Sequence, residues 1–282
     1  MTSSVALLTC DESTARRLAG VLGEADGLAC SALALDDGRW QLAVHAADAA
    51  AQARARALAP LAADVELAFA PLAAADWVAR SLAGLPPVAA GRFVVHGAHD
   101  RARVPLNATA IEIEAALAFG TGHHGTTRGC LLALDALAKR RRARCTLDIG
   151  TGSGVLAIAA ARMFRRPVVA GDIDLTAVAA ARGNARRNGV AAFVTFARAA
   201  GTHNRTIATR APYDLIFANI LLGPLRRLAL PIRRLAASGA YLVLSGLLPA
   251  QANAALAIYR VQGLKLARRI TLAGWVTLVL RC

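Results

Sequence analysis

The sequence predicts an α/β chain in two parts, a small α+β sandwich followed by a larger, doubly wound domain built on a seven-stranded sheet. Three observations carry this. The first 70 residues run in the order strand, helix, strand, strand, helix, strand. From residue 126 onward strand-like and helix-like segments alternate, the pattern of a mostly parallel sheet with right-handed crossovers. Between the first such strand and its helix lies a glycine-rich turn, Leu147-Asp148-Ile149-Gly150-Thr151-Gly152-Ser153-Gly154. Turns of this kind bring a ligand against backbone amides at a helix N-terminus.

In the N-terminal part, strands are expected at 5–8, 28–35, 40–44 and 65–69, with helices at 12–22 and 48–58. That βαββαβ order suggests a ferredoxin-like sandwich, punctuated by Pro60 and Pro71. Residues 71–125 read as a structured linker, with a short helix at 76–82, a stop at Gly84 and Pro86-Pro87, and strand-like runs at 92–95 and 110–114. Residues 126–282 carry expected helices at 127–138, 155–164, 175–188, 222–236 and 250–259. Strands are expected at 145–149, 168–172, 193–197, 214–218, 240–244, 264–270 and 275–280. Only Leu272-Ala273-Gly274 separates the last two, too short for a crossover helix, so they should be antiparallel. The expectation is a Rossmann-like sheet of seven strands with an antiparallel end.

At 282 residues the chain is long enough for two cores. Apolar residues make up 56%, but much of that is alanine, which buries little area per residue. The uncharged run 236–259 contains Ser238, Gly239, Ser245, Gly246, Pro249, Gln251 and Asn253, so no membrane span is expected. No Lys or Arg precedes Asp11, unlike the basic start of a secretory signal. The cysteines at 10, 30, 130, 145 and 282 form no C-x-x-C pair. Reduced thiols in a cytoplasmic protein are the expectation. Charge is uneven. Residues 1–90 hold 6 Arg, no Lys and 10 acids, net −4, while residues 91–282 hold 27 basic residues and 8 acids, net +19. Two such halves suit different partners. The runs Lys139-Arg140-Arg141-Arg142-Ala143-Arg144 and Arg186-Arg187 allow weak contact with RNA. No aromatics interleave them, so most read instead as cations at helix C-termini in an arginine-rich chain.

The glycine turn also indicates a ligand. The dinucleotide fingerprint requires a third glycine where Val155 stands, and Asp148 sits at the mouth of the turn. A carboxylate there repels a pyrophosphate and attracts a cationic amine. S-adenosylmethionine carries an ammonium, a sulfonium and no phosphate, so it fits where a dinucleotide does not. The next strand ends in Asp172, 22 positions after Gly150, about where a ribose-binding acid stands in βαβ nucleotide folds. Asp174 reads as the cap of the following helix. The loop Ala118-Phe119-Gly120-Thr121-Gly122-His123-His124-Gly125-Thr126-Thr127-Arg128 runs into a helix, and its amides and threonine hydroxyls can hold a ligand carboxylate. His123 and His124 point apart on most backbones and have no acid or Cys beside them, so no metal site is expected. The strand Tyr213-Asp214-Leu215-Ile216-Phe217-Ala218-Asn219 ends in an amide whose carbonyl can accept from an amine awaiting methylation. The plain alternative is an Asn that caps a turn.

These stretches resemble the PrmA family, the methyltransferases of the eleventh protein of the large ribosomal subunit. The resemblance rests on the loop 118–127, on 148–154, on Asp172-Ile173-Asp174 and on Ala218-Asn219-Ile220-Leu221. It extends to Leu244-Ser245-Gly246-Leu247-Leu248 and Asp76-Trp77-Val78, and runs from about Trp40 to the C-terminus. Ala116 stands where many members have glycine, and the first 35 residues match weakly. The resemblance implies a substrate-recognition domain at 1–70, a linker at 71–125 and an S-adenosylmethionine-dependent methyltransferase domain at 126–282. It implies Thr127, Gly150, Asp172 and Asn219 as donor-binding residues. The reading of the glycine turn adds Asp148 and Gly152 to that set, and Asn219 is the expected catalytic residue. The expected reaction methylates amines of a large-subunit ribosomal protein, lysine side chains and the N-terminal amine among them. An acidic N-terminal part would attract such a basic protein. Two rivals are a nucleic-acid amine methyltransferase and a non-catalytic ribosome-binding module. The first places prolines and an aromatic after the Asn to stack a flipped base, where this chain has Ile220, Leu221 and Leu222. The second has no use for both acids, the glycines and Asn219 together. No residue is assigned as a general base.

Overall fold

A computed structural model of the chain describes residues 4–23, 25, 28–34, 38–71, 87–114, 125–140 and 142–282. Two compact units divide between Trp77 and Val78. In the smaller one, β1 (Ser4–Cys10), α1 (Glu12–Gly23), β2 (Leu28–Ala34), β3 (Trp40–Ala46), α2 (Ala49–Leu58) and β4 (Ala70–Pro71) follow in that order. Its sheet runs β2-β3-β1-β4 with antiparallel neighbours throughout. Asp48 starts α2 by accepting from the Ala51 amide at 2.8 Å. Leu18 and Leu22 of α1 pack against Leu42 and Val44 of β3 and against Leu67. The strand expected at 65–69 is corrected here. That stretch buries alternate residues, but ladder pairing begins only at Ala70. Alternation records burial, whereas a ladder also needs a partner backbone within reach.

The larger unit begins, among the described residues, with a three-stranded sheet of β5 (Val88–Ala90), β6 (Phe93–His96) and β7 (Thr109–Glu112). Phe93, Val95 and Ile111 of this sheet share one hydrophobic cluster with Leu131 and Ile158. Residues 88–112 of the expected linker thus contribute core to the larger unit. The helix expected at 76–82 lies outside the described residues.

The rest alternates as α3 (Gly125–Ala138), β8 (Thr146–Ile149), α4 (Val155–Phe164), β9 (Val168–Asp172), α5 (Leu175–Arg187), β10 (Val194–Arg198) and α6 (Arg205–Arg210). Then come β11 (Tyr213–Asn219), α7 (Leu222–Leu235), β12 (Ala236–Leu247), α8 (Pro249–Val261), β13 (Lys265–Leu272) and β14 (Trp275–Arg281). The strand order is β10-β9-β8-β11-β12-β14-β13. The first five are parallel, and β14 runs antiparallel to both β12 and β13. Successive residues of β11 face opposite sides. Leu215 and Phe217 pack beneath α3, α4 and α5, and Ile216 and Ala218 pack beneath α7 and α8. Ala157, Ala159, Ala160 and Ala161 of α4 are fully buried. Each contributes little area, but together they let the helix lie close to the sheet. α6 was not expected. At six residues it is too short to show a period, and it starts where the Asn204 side chain accepts from the Thr206 amide at 2.8 Å. Among the described residues no helix is long and apolar enough to cross a membrane.

Candidate active site

Strand order reverses between β8 and β11. Connections leaving their carboxyl ends therefore diverge and open a crevice, the usual ligand position in such sheets. A cavity of about 810 Å³ lies there. Of the residues singled out in the sequence, Thr127, Gly150, Gly152, Asp172 and Asn219 line it. Asp148 does not. It lies under the glycine turn with 1% of its surface exposed.

The glycine turn is shaped by contacts that only small residues permit. Gly150 has φ of 69°, and a Cβ there would stand 2.4 Å from the Ile220 side chain. The Gly150 and Thr151 amides both donate to the Gly171 carbonyl, at 2.8 and 3.0 Å, which clamps the turn onto β9. The Gly152 amide donates to Asp172 Oδ2 at 2.9 Å, and the Asp174 amide donates to Asp172 Oδ1 at 3.1 Å. Two amides thus fix the Asp172 carboxylate at the cavity wall, with lone pairs left for ribose hydroxyls. Asp174 caps α5, accepting from Thr176 at 2.8 Å. Val155 and Leu156 also line the cavity, so the first turn of α4 faces it.

Asp148 Oδ2 accepts from Thr151 Oγ1 at 2.6 Å and from the Ala157 amide at 3.2 Å. Its Oδ1 has no hydrogen-bond partner among the described residues. Burial pushes this carboxyl up to about 6; the two hydrogen bonds oppose the shift and the neighbouring Asp172 charge adds to it. An acid in this position acts as a fixed charge beneath the turn. Its unpaired buried oxygen is costly without a counter-charge nearby. A second acid at the wall and amides in the turn suit a cationic ligand that carries a ribose. This donor set fits S-adenosylmethionine.

Asn219, also on the cavity lining, ends β11 in register with Ser245 of β12. Its Nδ2 donates to Thr126 Oγ1 at 3.3 Å, the one hydrogen bond its side chain makes among the described residues. Its carbonyl oxygen is left to accept from a ligand. Ile220 follows, held between two glycines. A Cβ on Gly246 would stand 2.5 Å from the Ile220 carbonyl, and one on Gly150 would press on the Ile220 side chain. Thr127, in the first turn of α3, is 1% exposed. The loop 118–124, with His123 and His124, lies outside the described residues. No group of His, Cys, Asp and Glu that could hold a metal gathers among the described ones.

His203, Arg227, Leu228 and Pro231 line the same cavity and had no signal in the sequence, and Ile173 was quoted only within a matched stretch. Pro224, Leu228 and Pro231 recur at helical spacing along α7, which reads as a buried face but not as a cavity wall. Two cations considered for RNA contact are ion-paired, Lys139 with Asp135 at 3.2 Å and Arg187 with Glu114.

Comparison with known proteins agrees with this geometry. The family model Ribosomal protein L11 methyltransferase (PrmA) matches residues 37–282. The ribosomal protein L11 methyltransferase of Rhodopseudomonas palustris (strain BisB5) is 50% identical over 277 residues, 96% of this chain and 94% of that protein. Its counterpart in Bradyrhizobium diazoefficiens is also 50% identical, with the same coverage. The crystal structure of ribosomal protein L11 methylase from Lactobacillus delbrueckii subsp. bulgaricus superposes with a TM-score of 0.62 at 23% identity, covering 70% of this chain and 98% of that one, which establishes the shared fold. With half of its residues shared along nearly its whole length, and with the glycine turn, Asp172 and Asn219 gathered on one crevice, the chain belongs to the ribosomal protein L11 methyltransferase (PrmA) family.

Proposed function

We propose that this protein transfers methyl groups from S-adenosylmethionine to amino groups of ribosomal protein L11, lysine side chains and the N-terminal amine. The observation that carries the reading is that the amide-braced Asp172, the glycine turn and Asn219 all line one cavity. When bound, S-adenosylmethionine supplies an electrophilic methyl group on a sulfonium centre. Asp172 holds the ribose, Gly150 and Gly152 let the backbone come close, and Thr127 closes the cavity from α3. Asp148 supplies negative charge from beneath the turn. Asn219 accepts from an N–H of the incoming amine and aims its lone pair. A lysine must first lose its proton, which costs about 4–5 kcal/mol at neutral pH. The apolar walls at Ile220, Leu221 and Leu228 disfavour the charged amine and lower that cost.

In this reading the smaller unit recognises the substrate. Its net negative charge suits a basic ribosomal protein, met in the cytoplasm. Reversing Asp36, Asp37 and Asp64 to Lys should lower kcat/KM severalfold at low salt and leave donor affinity unchanged. The difference should shrink at high salt, as screening shortens to about 8 Å at physiological ionic strength. Reversed enzyme that matches the parent at low salt would rule out electrostatic capture. The reaction itself is tested by the mass spectrum of recombinant ribosomal protein L11 after incubation with enzyme and donor. Whole-methyl increments on lysine or the N-terminus are expected. Donor binding with no increment would refute the substrate.

A further inference from the structure

Behind Asn219 stands a short line of buried hydroxyls drawn from three other elements. Thr126 Oγ1, in the first turn of α3, accepts from Asn219 Nδ2 at 3.3 Å. Ser245 Oγ on β12 donates to the Thr126 carbonyl at 3.3 Å and shares a hydrogen bond of 2.9 Å with Thr277 Oγ1 on β14. Thr126, Ser245 and Thr277 are 5%, 0% and 2% exposed. Their strand neighbours Val243, Leu244, Val276 and Leu278 are buried and apolar. Two hydroxyls therefore interrupt apolar strands at the level of Asn219, where apolar residues of the same size would pack with no desolvation cost. Gly129 serves the same place. A Cβ on it would stand 2.2 Å from Thr277 Oγ1, so a side chain there would push α3 away from β14.

An amide has two unlike ends, and the cavity meets one of them. While Thr126 takes an Nδ2 hydrogen, the carbonyl oxygen is left over, on a residue that lines the cavity. Turned over, the same amide would present N–H donors to an amine that must keep its lone pair free. We infer that Thr126 is a positioning residue for methyl transfer: it holds the Asn219 amide with its oxygen toward the amine, and Ser245 and Thr277 hold Thr126 in turn. This inference rests on the proposed role of Asn219.

The test measures two quantities on each full-length variant: donor affinity by calorimetry, and the single-turnover rate of methylation of recombinant ribosomal protein L11 at saturating donor. Thr126→Val keeps the shape and removes the acceptor. Its rate should fall about tenfold, the effect of one lost hydrogen bond, with donor affinity unchanged. Thr126→Ser should restore most of the rate. In an Asn219→Ala background Thr126→Val should add no further loss, because the group it orients is gone. A wild-type rate for Thr126→Val, or losses that multiply in the double variant, would overturn the inference. Should Thr126→Val fail to fold, Ser245→Ala gives the second route. Slower transfer at unchanged donor affinity supports the line, and an unchanged rate overturns it. Asn219→Ala turning over at the wild-type rate would instead overturn the proposed role of Asn219 itself, and the inference with it.

Discussion

Apart from Thr127 on α3, the donor wall of the cavity comes from one stretch of chain, and the acceptor wall comes from four elements. Gly150, Gly152 and Asp172 lie within β8, the glycine turn, α4 and β9, and backbone amides hold them to one another. Asn219, Thr126, Ser245 and Thr277 come from β11, α3, β12 and β14, and bonds that reach 93 and 119 residues along the chain join them. The first wall depends on local conformation, the second on the mutual register of distant elements. Substitutions in the donor wall should therefore change affinity, and those in the acceptor wall should change rate.

Gly150→Ala should have the largest effect, because it disturbs both walls. Its φ of 69° adds strain of about 1–3 kcal/mol for a residue with a Cβ. That Cβ also meets the Ile220 side chain at 2.4 Å. Donor binding should fall below calorimetric detection. Binding that survives would mean the two walls move independently of this contact.

Asp148 separates charge from contact. A free aspartate titrates near ~3.9, and this one near about 6. Between those values the folded state holds the extra proton, so stability falls as pH rises from about 4 to 6 and is then flat. The full loss is about 3 kcal/mol. Asp148→Asn should lack this slope. Melting temperature measured against pH for both proteins decides it, and parallel curves would show that the buried carboxylate carries no such cost. Asp172→Ala should have a smaller and purely local effect, weakening donor affinity by about 1.5–3 kcal/mol. Calorimetry showing unchanged affinity would remove Asp172 from the ribose.

The same contrast explains what could be read before folding. That Gly150, Asp172 and Asn219 line the cavity was legible from their places at strand ends and in the turn, while the role of Asn219 came from the family resemblance. The antiparallel end of the sheet was legible because three residues cannot cross over. Asp148 was legible as a charge but not in depth: its position in the sequence suggested the mouth of the turn, and the structure puts it underneath. Thr126 was legible as a hydroxyl that could hold a ligand carboxylate but not as a partner of Asn219, and Ser245 was named only within a matched stretch. Thr277, His203 and Arg227 carried no signal, since β14, the segment before α6 and α7 meet the site only through tertiary packing. The 65–69 stretch shows the converse, a clear alternation with no ladder behind it.

The most direct test of this division compares Asp172→Ala with Asn219→Ala in one pair of measurements, donor Kd by calorimetry and single-turnover methylation of ribosomal protein L11 at saturating donor. Asp172→Ala should raise Kd and keep a near-parental rate once saturated. Asn219→Ala should hold Kd within a few-fold and slow transfer roughly 10–150-fold, the range for one charge-linked hydrogen bond. If both variants change Kd and rate together in the same proportion, the two walls do not divide binding from transfer, and the account is wrong.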